Sequence, residues 1–133
     1  MDEERFDVGK EARGRVLGED YVTRAFANAD SFNLEFQRLV TEYCWGEIWG
    51  RSVLTDKQRS LNNLCLLAAL NRGEEFKTHF RGAITNGATL DELRDTLLQI
   101  AVYAGIPAGV EAFRLARQVL DAQGITPDSA PGP

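Results

Sequence analysis

The sequence predicts an all-α protein. Apolar residues recur at three- and four-residue spacing through most of the 133-residue chain. No segment alternates over the length a strand requires, and every break between periodic segments is short. One domain over 1–133 is expected at this length, with about 1–30 as a helical arm and 124–133 as a frayed tail.

The opening segment to Gly18 is a charged, weakly amphipathic helix containing Gly9 and Gly14, an arm expected to pack on something larger. Glu19 to Ala29 forms a second short helix with Val22 and Phe26 as its ridge. Asn28, Asp30 and Ser31 break it, and either Asp30 or Ser31 caps the next helix, from about Ser31 to Gly50. On a 3.6-residue wheel Phe32, Phe36, Leu39, Val40 and Tyr43 share one side, and Glu47 continues their stripe. Trp45 and Trp49 stand at i and i+4 on the opposite side. Two apolar faces call for two neighbours, the second often another subunit. In the plainer alternative Glu47 reaches solvent at the helix end while the tryptophans are core.

Thr55 and Gln58 have capping-box spacing and open a helix to about Asn71. Its second half, Leu61 to Leu70, is apolar nearly all round, which suits the centre of a bundle. The following helix, about Glu74 to Asn86, turns Phe76, Phe80, Ala83 and Ile84 inward, with His79 on the flank and Gly87 as the C′ residue. Thr89 and Glu92 repeat the capping-box spacing before a helix facing inward through Leu93, Leu97, Ile100, Ala101 and Ala104. Gly105 and Pro107 interrupt. A last helix, about Ala108 to Ala122, is expected to pack through Val110, Phe113, Ala116 and Leu120.

The net charge of -5 and the lack of a basic patch argue against a nucleic-acid partner. Cys44 and Cys65 lie in apolar helical contexts without CxxC spacing, as reduced core residues do. The charged N-terminus has no apolar run behind it and no segment reaches bilayer-spanning length, so a soluble cytoplasmic protein with no membrane partner is expected. There is no glycine-rich phosphate loop, second histidine, GxSxG or convincing Cys–His pair, so neither a metal nor a cofactor is expected. Glu47, Arg51, His79, Arg81 and Tyr103 remain as polar groups at the edges of apolar faces. Each has a plain structural alternative: a satisfied flank histidine, solvated or salt-bridged side chains, a buried tyrosine ring with one satisfied hydroxyl.

The run YCWGEIWGRSVLTDKQRSLNNLCLLAALNRGEEFKTHFRGAITNGATLDELRDTLLQIAVYAGIPAGVEAFRLA resembles the carboxymuconolactone decarboxylase/AhpD-like family, and the likeness covers nearly the whole chain. HFRGAITNGATLDELRDTLLQIAVYAGIPAG marks the superfamily. YCWGEIWGR, with the opening MDEERFDVGKEARGRVLG, looks specific to its decarboxylase branch. The peroxidase branch carries a CxxC pair ending four residues before the place of His79; here those places are Arg72 and Glu75. Its accompanying glutamate falls at about Ser60, so thiol peroxidase chemistry is excluded at that position. The resemblance implies an AhpD-like helical bundle forming a homo-oligomer, usually a trimer or hexamer. It also implies cofactor-free decarboxylation of 4-carboxymuconolactone to the enol-lactone of 3-oxoadipate, in protocatechuate catabolism.

The implied substrate, a small anionic lactone, needs a cationic clamp for its carboxymethyl arm. Arg51 and Arg81 are candidates, with Arg72 behind them. Charge developing on the lactone oxygen needs a donor, His79 or Tyr103. The departing carboxylate needs an apolar place, which Tyr43, Trp45, Trp49 and Phe80 suit. His79 has an ordinary pKa suited to proton transfer near neutrality; Glu47 is either a second carrier, if burial raises its own, or the group that orients His79 or an arginine. An arginine from a neighbouring subunit fits the clamp equally well. Two rivals stand beside this: a decarboxylase or isomerase of a related lactone or β-keto acid, and a non-enzymatic helical module whose tryptophan face binds a partner.

Overall fold

The computed structural model describes residues 2–128, so the last five positions of the expected frayed tail, 129–133, lie outside the described residues. Among the described residues all regular structure is helical. Two compact units divide inside one helix, residues 1–59 and 60–133.

In the first unit, α1 (Glu3–Leu17) and α2 (Glu19–Ala27) are followed by α3 (Leu34–Leu39), which runs directly into a π-helix (Val40–Ile48). Asp2 caps α1 by accepting from the Arg5 N–H. Neither expected cap bonds within α3; Asp30 instead holds the turn that leads into it, its carboxylate accepting from the backbone N–H groups of Phe32 at 2.9 Å and Asn33 at 3.2 Å. The π-helix corrects the uniform 3.6-residue wheel. Its bonds close over five residues, as from the Trp49 N–H to the Cys44 carbonyl, so the turn is unwound and the expected faces shift. The stripe of Phe32, Phe36, Leu39 and Tyr43 lies on the surface of this chain, whereas Trp45 and Trp49 are core with Ala12 and Val16 of α1.

The arm α1 packs along the π-helix, and glycine makes the approach possible. A Cβ on Gly9 would stand 1.8 Å from the Thr41 carbonyl oxygen, and one on Gly46 would stand 2.4 Å from that of Arg5. Beside this contact Arg13 is buried; its guanidinium donates to Gln37 Oε1 at 3.1 Å and to the Thr41 hydroxyl at 3.2 Å. Arg15 closes the unit on Asp56 at the start of α4.

The second unit takes the rest of α4 (Asp56–Ala69) with α5 (Gly73–Thr85), α6 (Leu90–Tyr103) and α7 (Ile106–Ala122). Both expected capping boxes are present, Thr55 with Gln58 and Thr89 with Glu92. Three helices end in Schellman turns: α4 at Asn71 (φ 59°), α5 at Gly87 (φ 92°) and α7 at Gly124 (φ 69°). Gly124 thus belongs to an ordered helix stop rather than to the expected frayed tail.

One core joins Leu64, Phe76, Phe80, Leu93, Leu97, Ile100 and the α7 face of Ala112, Leu115, Ala116 and Val119. Two expected faces are corrected. The α4 helix buries only Ser60 and Leu64, leaving Leu66 and Leu70 exposed, so in this chain it is peripheral. The α7 helix begins at Ile106, with Pro107 accommodated in its first turn, and packs through Gly109, Ala112, Leu115, Ala116, Val119 and Leu120. The expected Ala116 and Leu120 are buried, whereas Val110 (64% exposed) and Phe113 (42%) face outward.

The α1 contact generates a test. Gly9→Ala cannot be accommodated by a side-chain shift, because the obstructing atoms are backbone. Urea denaturation should show a loss of about 3 kcal/mol or more, while Gly14→Ala, whose added carbon would meet only the Glu19 side chain at 3.4 Å, should stay close to wild type or gain from helix propensity.

Candidate functional site

In the first unit the π-helix carries Glu47 near its C-terminal end. The carboxylate lies between two guanidiniums, 3.4 Å from Arg5 Nε and 3.3 Å from an Arg51 terminal nitrogen, and its side chain is 41% exposed. Glu47 continues the exposed side of Tyr43 and reaches solvent at the helix end while the tryptophans are core, which is the plainer of the two alternatives the sequence leaves open. Arg51, just past the end of the π-helix, folds back along it and also donates to the Glu47 carbonyl at 3.2 Å. Trp45 and Trp49 stack with ring centroids 4.7 Å apart and are 3% and 4% exposed, so within this chain they pack the π-helix and offer little surface to a ligand. Tyr43, by contrast, is open. Cys44 and Cys65 are free thiols, each pushed up in pKa by partial burial, in keeping with an unreactive role.

In the second unit His79 sits on the flank of α5 between the buried rings of Phe76 and Phe80 in sequence. Burial lowers its pKa to about 4, against a smaller opposing pull from the Glu75 carboxylate. It is therefore a neutral imidazole at pH 7, not the near-neutral titrating group the sequence suggests. A neutral imidazole still donates one N–H, which suits a developing oxyanion. Arg81 is exposed and donates only weakly to the Thr78 hydroxyl at 3.3 Å. Tyr103, at the end of α6, is 83% exposed rather than a buried ring. Phe80 is core. Ser60, at the place of the peroxidase branch's glutamate, is fully buried and accepts from the Asn86 amide at 3.2 Å.

The α4–α5 turn adds residues beyond those the sequence singles out first. Here Asn71 and Arg72 stand at the mouth of an apolar cavity of ≈ 170 Å³ walled by Leu67, Phe76, Ala108, Ala112 and Leu115. The signal available in the sequence was an asparagine followed by an arginine where a helix stop needs a left-handed residue. Among the described residues no group of three His, Cys, Asp or Glu side chains is placed to hold a metal ion, and no helix is long and apolar enough to cross a membrane.

Comparison with known proteins adds a lineage to this geometry. The model of the carboxymuconolactone decarboxylase family matches residues 35–118. A protein of Acinetobacter baylyi (strain ATCC 33305 / BD413 / ADP1) named 4-carboxymuconolactone decarboxylase is 40% identical over 127 residues, 96% of this chain and 95% of that protein. A Metarhizium robertsii (strain ARSEF 23 / ATCC MYA-3075) protein named nitrosuccinic acid decarboxylase is 41% identical over 116 residues, 87% of this chain and 81% of its own length. A 4-carboxymuconolactone decarboxylase sequence of Pseudomonas putida matches over 48 residues at 40% identity, 35% of this chain and 100% of that sequence.

The buried histidine has a pH signature. Its folded pKa of about 4 lies below the ordinary 6.5, so the unfolded chain takes up the proton first as pH falls. The stabilisation is full above pH 6.5 and is lost between 6.5 and 4, amounting to roughly 3 kcal/mol at most. Denaturation midpoints measured from pH 7 to 4 should fall less steeply in His79→Gln than in wild type.

Proposed function

Since the chain belongs to the carboxymuconolactone decarboxylase family, we propose that it decarboxylates 4-carboxymuconolactone to the enol-lactone of 3-oxoadipate. The observation that carries this is the 40% identity to the Acinetobacter protein along nearly the full length of both chains. The bond from the quaternary ring carbon to its carboxylate breaks, and carbon dioxide leaves. The electron pair passes through the ring double bond onto the lactone carbonyl oxygen. A proton then adds to the ring carbon beside that carbonyl. The lactone is its own electron sink, so the protein needs to supply only binding, a donor and a proton.

His79 is the donor in this proposal, as a neutral N–H that strengthens its hydrogen bond when the lactone oxygen takes on charge. Glu47, ion-paired with Arg51, is the group that orients this arginine, and Arg81 and Tyr103 are further substrate contacts. Trp45 and Trp49 act through the π-helix that they hold in place. The chain works as a homo-oligomer, a trimer or hexamer. The apolar Leu98 and Val102 of α6 and Ile106 and Val110 of α7, all at least half exposed, support assembly. A sedimentation mass of three or six chains is expected, and a monomer would remove this part of the proposal. The same proposal places the enzyme in the cytoplasm, in keeping with its two free cysteines.

The relationship to the nitrosuccinic acid decarboxylase favours a second substrate. Nitrosuccinate and the lactone share one fragment, a carboxylate on a carbon that also bears a carboxymethyl arm and an attached electron sink. Loss of carbon dioxide from nitrosuccinate would send the pair into the nitro group in the same way.

The deciding experiment is carbon dioxide release by purified protein on both compounds, with and without a chelator. Turnover of the lactone should survive the chelator. His79→Leu should lower kcat by about 10² to 10³, and His79→Gln, which keeps an N–H donor, should retain more. Equal losses in both would overturn the neutral-donor role; no turnover on either compound would overturn the decarboxylase.

A further inference from the structure

The cavity at the α4–α5 turn combines three features the chain's packing does not require. First, Arg72 has no carboxylate within ion-pairing distance among the described residues, although the protein carries an excess of acidic side chains. The acidic group on the cavity rim, Glu111, is held by Arg114 through two parallel hydrogen bonds, one of 2.9 Å from Nε and a second from a terminal nitrogen. The neutralised pair leaves Arg72 as the net charge of the mouth. Second, Asn71 adopts φ 59°, where glycine costs least. Asparagine instead brings a side-chain amide to the rim, with both a donor and an acceptor. Third, the N-terminus of α5 opens at the same turn with no side-chain cap on its free N–H groups, although Glu74 and Glu75 occupy its first turn.

Behind this polar mouth the walls are hydrocarbon, with Phe76 and Ala112 each 1% and Leu115 6% exposed. The space of ≈ 170 Å³ is about what a single small ring fills. An apolar ring-sized hole with one uncompensated guanidinium at its edge selects an anion tethered to a small ring. A larger molecule would not enter, and a bare anion would leave the hole empty.

We infer that this cavity binds a carboxylate carried on one small ring, with Arg72 as the clamp and Asn71 as the neighbouring hydrogen-bonding group. Resting on the decarboxylase proposal, the ring is the lactone and the clamped group its carboxymethyl arm. The second carboxylate then stands over apolar walls, where charge is poorly solvated and its loss as carbon dioxide is favoured. His79 follows Phe76 at i+3 on the same side of α5. Arg72 is thereby a substrate-binding residue that displaces Arg51 and Arg81 as first candidate for the clamp.

The test uses a lactone that cannot lose carbon dioxide from the ring, (5-oxo-2,5-dihydrofuran-2-yl)acetate, which has the ring and the arm but a hydrogen in place of the departing carboxylate. Calorimetric titration of the full chain should give one site per chain. Arg72→Gln, at an exposed position, should weaken it about 10- to 100-fold, and Arg72→Lys should fall between, because it keeps the charge but not the planar fork. Ala108→Leu, narrowing the cavity without touching Arg72, should weaken binding comparably. Unchanged affinity in either Arg72→Gln or Ala108→Leu overturns the inference. The decarboxylase proposal fails separately. A wild-type protein that binds the probe through Arg72 yet releases no carbon dioxide from the carboxylated lactone keeps this site and loses the reaction. Normal kcat/KM in Arg72→Gln keeps the reaction and loses the site.

Discussion

The second unit depends on how the chain turns between α4 and α5. Asn71 in the left-handed region lets the Arg72 N–H reach the Leu67 carbonyl at 2.9 Å and closes α4. The chain then starts α5 at Gly73, whose missing side chain fits close against Leu115. That start point sets the phase of the helix. It sends Phe76, Phe80 and Ala83 into the core, leaves His79 on the flank with an imidazole too poorly solvated to stay charged, and turns Arg72 toward the cavity mouth. The strained residue, the uncompensated cation and the neutral histidine are consequences of one turn of backbone.

The helix inventory was legible because helix ends are chemically explicit. Thr55 with Gln58, Thr89 with Glu92, and Gly87 each announce a backbone group that needs a partner, and each partner is where the spacing puts it. Faces were less legible. The wheel separates Tyr43 and Glu47 from the two tryptophans but leaves open which side is covered, and it is the tryptophan side that is core while Glu47 stands on an exposed ion-paired rim. In α7 the wheel followed the large apolar residues, while the close contact went to the small ones. A Cβ on Gly109 would lie 2.6 Å from that of Ala101, a distance only glycine permits. Val110 and Phe113 read as core because sequence cannot say whether an apolar side chain is covered by its own chain.

The site was legible as residue types and not as electrostatics. His79 was identifiable on a helix flank, but its charge state depends on how much water its neighbours exclude, a sum over several helices. The tryptophans drew attention as conspicuous side chains and proved to be packing. Arg72 is hard to single out in sequence, because its value comes from the lack of an ion-pair partner among the described residues, with Glu111 held by Arg114, and from a hole shaped by α7 residues more than thirty positions away.

The π-helix has one further consequence. A turn closed over five residues holds one residue more than a turn closed over four, so it records surplus length in the chain. Removing a single residue between Val40 and Ile48 would let the segment relax to α geometry without a gap in the backbone ladder. Because the surplus residue is taken up inside the widened turn, the chain beyond the cut would keep nearly its present phase, with Trp49 still beside Trp45 and Arg51 still beside Glu47. The widened turn absorbs a difference in chain length that a plain α-helix would pass on as rotation. A related sequence shorter by one residue here would lose the wide turn and keep the rim.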